Sequence, residues 1–387
     1  MTSLRLPIGS DEVRVYELGP PGDFPPPTAP ITSRRAFAAA HVVADPLADN
    51  SPGSGARLDW DATLAYRRHL WSYGLAVAEA MDTAQRGMGL EWSVVRQLIT
   101  RSLAEAAAEG GDIACGAGTD QLPAHGASLD EIVRAYEEQI ALIEGEGGQA
   151  VVMASRQLAA TARSADDFHE VYRRVLSQVT RPVIIHWLGE MFDPALTGYW
   201  GGADLDTATD HFLDILRENA SNVDGVKISL LDRSREVELR RRLPDGMRLY
   251  TGDDFDYPEM ILGDGTAHSH AFLGAFDLIA PAASAALQAL DRGDAGRFEE
   301  ILAPTVPLSR HVFSIPTYYY KTGVVFMAYL NGHQNHFRMV DGLESARPVL
   351  HLAHQFVLAD RAGLLADPEM AASRMATVLA VAGIEQA

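Results

Sequence analysis

The sequence predicts an α/β fold, a closed (β/α)8 barrel. Eight short, apolar, β-rich runs recur along the chain, each is followed by a longer amphipathic segment of helical period, and the two alternate in strict order. Parallel strands need crossover helices, and closing eight of them leaves no sheet edge. A doubly wound open sheet is the alternative. The Gly-x-Gly-x-x-Gly turn of a dinucleotide-binding version is missing after the first strand.

Residues 1–36 read as an N-terminal extension. A hairpin run at 13–18 precedes Gly19-Pro20-Pro21-Gly22-Asp23-Phe24-Pro25-Pro26-Pro27, and proline at this density favours an extended arm. The barrel is expected over 37–303. Its strands are predicted at 37–44, 75–81, 112–116, 150–154, 182–188, 223–231, 247–251 and 271–277, and its helices at 60–73, 93–108, 129–144, 165–178, 204–219, 234–243, 258–262 and 282–302. Ser128 before Leu129-Asp130-Glu131 and Ser164 before Ala165-Asp166-Asp167 mark helix starts, where a hydroxyl caps the first turn and acids face the positive helix end. Residues 304–387 continue as a helical region packed on the barrel, with apolar-periodic stretches at 324–330, 349–358 and 371–382.

Composition narrows the function. At 387 residues, 47% hydrophobic and 22% charged, the chain is long enough to bury a large core. It has no N-terminal apolar leader and no run of about 18 apolar residues, so a cytoplasmic protein away from membranes is expected. One cysteine excludes an internal disulfide framework and a multi-cysteine metal site. A net charge of −20 repels nucleic-acid backbones and anionic membranes, which leaves small molecules as partners.

Lysine usage is the sharpest signal. Lys227 and Lys321 are the only two lysines, and the other 30 of the 32 basic residues are arginine. Lys227 ends a mostly apolar strand, Val223-Asp224-Gly225-Val226-Lys227-Ile228-Ser229. Burial there lowers the pKa of an ammonium and frees a lone pair that attacks carbonyls, chemistry closed to a guanidinium. A strand-end lysine paired with a carboxylate is the plain alternative.

Catalytic groups of such barrels sit at the C-terminal strand ends. Those ends carry Asp45; Asp82, Thr83 and Gln85; Thr119, Asp120 and Gln121; Ser155, Arg156 and Gln157; His186, Trp187, Glu190 and Asp193; Lys227 and Ser229; Asp253 and Asp254; and Asp277, with His268 and His270 just before the eighth strand. Each has a plain reading as well: His186 as a core histidine, Trp187 as core, and Asp253 and Asp254 as turn builders. Lys321 reads as lining the barrel mouth or making an ion pair. The pairs His333/His336 and His351/His354 lie far from the strand ends, and Arg240-Arg241-Arg242 reads as a solvated face.

This order of motifs resembles the class I aldolases of the dihydrodipicolinate synthase and N-acetylneuraminate lyase family, over roughly residues 37–321. The run from Val223 to Ser229 is similar to that family's sixth strand with its Schiff-base lysine. Thr251-Gly252-Asp253-Asp254 is similar to its Ser-Gly-Asp-Asp turn, and Ile315-Pro316-Thr317 through Lys321 to its Asn-Pro…Lys stretch. Three departures stand out. His186-Trp187 replaces a Tyr-Asn pair, Leu188 through Pro194 lacks the arginine that clamps the carboxylate of pyruvate, and Met81-Asp82-Thr83-Ala84-Gln85 replaces Gly-Thr-Thr-Gly-Glu.

The resemblance implies a carbon–carbon lyase or aldolase. Lys227 forms an imine with a small carbonyl substrate, a sugar-derived keto compound or 2-keto acid. His186 moves a proton, which would tie activity to an ionisation near pH 6.5. Thr83 relays it or holds the carbonyl oxygen, while Asp82, Gln85, Asp120, Arg156, Trp187, Asp253 and Asp254 bind the substrate. No cofactor and no metal are expected, and the resemblance implies a homo-oligomer, dimer or tetramer. Two other classes remain open: a divalent-metal isomerase or class II aldolase using Asp82, Asp120, Glu190, His186 and His270, and a barrel that binds a sugar without catalysis.

Overall fold

The apolar runs become strands because both of their faces are buried, one against the barrel axis and the other against the helix layer. The computed structural model describes residues 2–9 and 12–386. It opens with an antiparallel hairpin of β1 (Ser3–Gly9) and β2 (Glu12–Glu17). Eight parallel strands follow: β3 (Ala36–Ala39), β4 (Ala76–Glu79), β5 (Ile113–Ala117), β6 (Gln149–Val152), β7 (Val183–Leu188), β8 (Val223–Ser229), β9 (Arg248–Thr251) and β10 (His270–Leu273). Each pairs with the next, and β10 closes on β3.

Between the strands run α1 (Trp60–Ser72), α2 (Trp92–Glu109), α3 (Leu129–Gly145), α4 (Arg156–Thr161), α5 (Ala165–Gln178), α6 (Leu205–Glu218), α7 (Arg233–Arg242) and α8 (Tyr257–Leu262). After β10 come α9 (Ala275–Leu278), α10 (Ala280–Asp291), α11 (Ala295–Leu302), α12 (Val306–Val312), α13 (Tyr320–Leu330), α14 (Val349–Arg361) and α15 (Pro368–Val381). Helix α13 packs on α9, and the N-terminal hairpin rests on α14 and α15. No helix among the described residues is long and apolar enough to cross a membrane.

The departures from expectation have local causes. The hairpin begins earlier than 13–18, because β1 supplies the partner strand. The first barrel strand stops at Ala39, not 44: just beyond it the His41 N–H donates to Asp277 Oδ2 at 2.8 Å, which takes the chain off the ladder toward the far side of the closure seam. The segment after Leu273 coils into α9 instead of extending to 277. The expected helix at 282–302 divides in two, since Gly293 takes φ +75° and Asp294 caps a new helix by accepting the Arg297 N–H at 2.9 Å. Ser128 forms a full capping box with Glu131, whereas Ser164 occupies the N-cap position without a side-chain cap bond.

Inside the barrel, Phe37, Ala39, Ala76, Ala78, Ala114, Val151, Ile184, Tyr250 and Phe272 form a core separate from the larger one between sheet and helices. Phe37 stacks on Phe272 at 4.9 Å between ring centroids. Aromatic rings thus plug the interior below the strand ends.

One buried acid sets a stability test. Glu236 of α7 accepts hydrogen bonds from Thr251 Oγ1 and Ser269 Oγ, each at 2.8 Å, and burial pushes its carboxyl up to about 8. The folded chain therefore holds this proton more tightly than the unfolded one. That contribution is complete below pH 4.5 and is lost as pH rises toward 8. Glu236→Gln should thus gain thermal stability over wild type between pH 5 and pH 9, on the order of 5 °C in Tm at the alkaline end, as read by calorimetry.

Candidate active site

Lys227 lies two residues before the end of β8, in register with His186 on β7 and Tyr250 on β9. Since Ile184 and Tyr250 face the barrel interior, the period of two turns His186 and Lys227 inward as well. Lys227 is 4% exposed, and its Nζ sits 4.5 Å from the centre of the Phe272 ring. Among the described residues, no hydrogen bond or ion pair engages that amine. Burial drives its pKa down, opposed by Asp82 and Asp254. Gly252 keeps the space open: a Cβ there would stand 3.1 Å from Lys227 Cε and 2.2 Å from Ser229 Oγ.

His186 is fully buried. Its Nε2 lies 3.1 Å from Ser229 Oγ, and among the described residues its Nδ1 has no partner. Burial, followed by the nearby Lys227, holds the imidazole well below its usual pKa. The ring is therefore neutral throughout the physiological range, and the ionisation near pH 6.5 expected for it is displaced. Asp254 accepts the Ala275 N–H at 2.8 Å, and burial raises its pKa.

A second set of groups arrives from outside the barrel. The N-terminus of α13 delivers Tyr320, whose hydroxyl donates to Asp82 Oδ2 at 2.7 Å and lies 2.6 Å from Thr83 Oγ1. Phe313 stacks on the phenol ring at 4.4 Å. The next residue, Lys321, is 2% exposed; it donates to Tyr318 O at 3.0 Å and stands 4.0 Å from Asp82 Oδ2. Asp82 thus faces both lysines of the chain.

Above this layer the loops after β4, β5, β6 and β7 enclose a cleft of about 720 Å³, whose charged lining includes Asp82, Arg86, Asp120, Arg156, Asp193 and Lys321. Most of these charges are already matched. Arg86 donates Nε to Asp120 Oδ2 at 3.0 Å and Nη1 to Gly116 O at 2.7 Å, and the guanidinium keeps Asp120 below its ordinary pKa against the opposing effect of burial. Arg156 donates Nε to Asp193 at 2.5 Å and Nη1 to Gly87 O at 3.3 Å.

The geometry gathers Lys227, His186, Asp82, Thr83 and Asp254 at one end of the barrel, with Asp120 and Arg156 in the cleft above. It places three predicted residues elsewhere. Trp187 follows His186 on the strand and so points outward, into the rings of Phe212 at 5.2 Å and Trp200 at 6.0 Å. Gln85, in the left-handed region at φ +63°, donates its amide to Val340 O at 2.8 Å and braces a loop. Asp253 builds the turn after β9, its Oδ1 accepting the Phe255 and Asp256 N–H groups. The metal reading loses its ligand set: His270 opens β10 at the N-terminal end, where its Nδ1 accepts the Arg35 N–H, and Glu190 is exposed. Among the described residues no group of three or more His, Cys, Asp or Glu side chains is arranged to hold a metal. Tyr320 and Arg86 were not expected in the site. The tyrosine stands in a Tyr-Tyr-Tyr-Lys run beside one of two lysines, a compositional signal that pointed at the segment and not at the atom.

A family profile described as "Protein of unknown function (DUF993)" matches residues 4–384. The chain belongs to this family. Among curated proteins no sequence matches it. Solved structures of similar fold are dihydrodipicolinate synthases. A Pseudomonas aeruginosa protein assigned as a dihydrodipicolinate synthetase superposes with a TM-score of 0.63 at 18% identity, covering 85% of this chain and 99% of its own. The synthase from Aquifex aeolicus gives 0.58 at 16%, covering 91% and 98%. That from Bacteroides thetaiotaomicron gives 0.59 at 14%, covering 81% and 93%. The chain thus shares its barrel fold with these enzymes.

Tyr320 ties α13 to the barrel mouth through one buried hydroxyl. Tyr320→Phe leaves Asp82 and Thr83 without their shared partner and should cost about 1–3 kcal/mol in urea unfolding, with little change in m-value.

Proposed function

We propose that this chain is a Schiff-base-forming carbon–carbon lyase or aldolase, with Lys227 as the amine. The observation that carries the reading is the state of that amine: buried at the C-terminal end of the sixth barrel strand, without a hydrogen-bond partner among the described residues, and held over an aromatic face. A structural lysine in such a place would be paired, because an unpaired buried ammonium is costly. A nucleophile has to keep its lone pair free.

In the first step Lys227 Nζ bonds to the carbonyl carbon, and the oxygen, taking one proton from the amine and one from solvent, leaves as water to give a protonated imine. The face of Phe272 favours that cation as it would an ammonium. The imine then draws in an electron pair to form an enamine, either from an adjacent C–H bond, which releases a proton, or from the adjacent carbon–carbon bond, whose far carbon leaves as a carbonyl compound while its hydroxyl gives up a proton. His186 stands beside Lys227 on the neighbouring strand as a neutral imidazole, a form that can accept the proton released from carbon. Thr83, bonded to the Tyr320 hydroxyl, holds the departing oxygen, and Asp254 shares the amine's surroundings. The cleft, lined by Asp120 and Arg156, receives the hydroxyls of a carbonyl substrate about the size of a small sugar. The fold shared with dihydrodipicolinate synthases supports this reading.

Two measurements test it without knowledge of the natural substrate. Borohydride with excess hydroxyacetone should add the mass of a reduced adduct to Lys227 in the wild type and not in Lys227→Arg, since a guanidinium forms no imine. An unlabelled wild-type Lys227 would end the proposal. Deuterium uptake from D2O into hydroxyacetone reads the proton step: His186→Ala should slow it by about 10²–10⁴-fold while trapping persists. It should show no step near pH 6.5 that His186→Ala removes, because burial keeps His186 neutral there.

A further inference from the structure

The second lysine has no place in the chemistry above, yet it is as buried as the first. Lys321 enters the barrel mouth from α13, outside the eight strand–helix units. An ammonium carries three donors. One reaches Tyr318 O at 3.0 Å and the ammonium lies 4.5 Å from the centre of the Tyr320 ring, while the nearest carboxylate oxygen, of Asp82, is at 4.0 Å, beyond hydrogen-bond range. That carboxylate already receives the Tyr320 hydroxyl.

The other cations of the cleft are committed. Arg86 is held by Asp120 and by Gly116 O, and Arg156 by Asp193 and Gly87 O. Asp193 in turn accepts the Ala195 N–H at 3.1 Å. Lys321 alone among these cations lacks a carboxylate within hydrogen-bond distance, although it lines the cleft wall. Leaving a buried cation short of acceptors is costly unless a ligand supplies them. Burial lowers its pKa to about 8, which keeps it mostly cationic at neutral pH.

From this geometry we infer that Lys321 is the anchor for an anionic oxygen group of the substrate, a carboxylate or a phosphate, and so determines which carbonyl compounds the site accepts. The inference rests on the reading of Lys227 as the imine-forming amine, and deepens it. The substrate spans two amines: its carbonyl goes to Lys227, and its acidic group to Lys321 from the post-barrel helix.

The test uses anions that cannot form an imine, so that its result is independent of Lys227. Calorimetry on the full chain would compare lactate with 1,2-propanediol, and glycerol 3-phosphate with glycerol, for wild type, Lys321→Met and Lys321→Arg, each checked for thermal unfolding. The wild type should bind at least one anion about tenfold or more tightly than its neutral partner, and which anion does so names the acidic group. Lys321→Met should remove that preference, and Lys321→Arg should retain it within a few-fold. An unchanged preference in folded Lys321→Met overturns the assignment. So does a wild type that binds neither anion better than its neutral partner. If Lys321→Met does not fold, loss of the preference in a folded Lys321→Arg counts against a role of charge and overturns it too. Borohydride trapping with hydroxyacetone, run alongside, separates the two proposals: an unlabelled wild-type Lys227 defeats the imine reading while the anion preference still decides on Lys321.

Discussion

In a closed parallel barrel each strand residue points either to the axis or to the helix layer, and a step of one residue exchanges the two. Much of this molecule follows from that rule. His186 and Lys227, opposite one another on β7 and β8, both face the axis, while Trp187, one residue on, joins the aromatic cluster of Trp200 and Phe212. Phe37 and Phe272 fill the interior below them, so Lys227 has an aromatic floor. Gly252 completes the arrangement by leaving out the Cβ that would strike Ser229 and Lys227.

Electrostatics then sorts groups of the same kind into different roles. The two lysines share a carboxylate, Asp82, and differ in what else they meet. Each lies 4.5 Å from a ring centre, Lys227 over Phe272 and Lys321 over Tyr320, but Lys227 also meets a protonatable Asp254, and Lys321 a backbone carbonyl and the open cleft. Burial lowers both, but only Lys321 keeps an ordinary hydrogen bond to a neutral acceptor. The arginines of the cleft are locked by carboxylates and carbonyls. They act as struts for the loops after β4 to β7 and hold Asp120 and Asp193 in fixed positions. A chain with 30 arginines and two lysines has thus placed both lysines where a point-like, titratable cation differs most from a planar fork.

The C-terminal helices are part of the site. Helix α13 brings the Tyr320 hydroxyl between Asp82 and Thr83, and its neighbour Lys321 to the cleft wall. Helix α13 packs on α9, α14 and α15, and the N-terminal hairpin packs on α14 and α15.

Periodicity and composition by themselves determined the barrel, its strand order and the singular position of Lys227, because alternating burial and the scarcity of lysine are properties of the linear chain. The same reading located His186, Asp82, Thr83 and Asp254 at strand ends. Which of the neighbouring polar residues face the cleft was decided only by tertiary structure. Gln85 braces a loop through its positive φ and the distant Val340 carbonyl, Asp253 closes its own turn, the plainer of its two readings, and His270 opens its strand at the opposite end, where it meets the Arg35 N–H 235 positions away. The approach of Tyr320 to Asp82 crosses 238 positions of chain. Such a contact is fixed by how helices dock on a closed barrel, so no local pattern in the sequence could announce it.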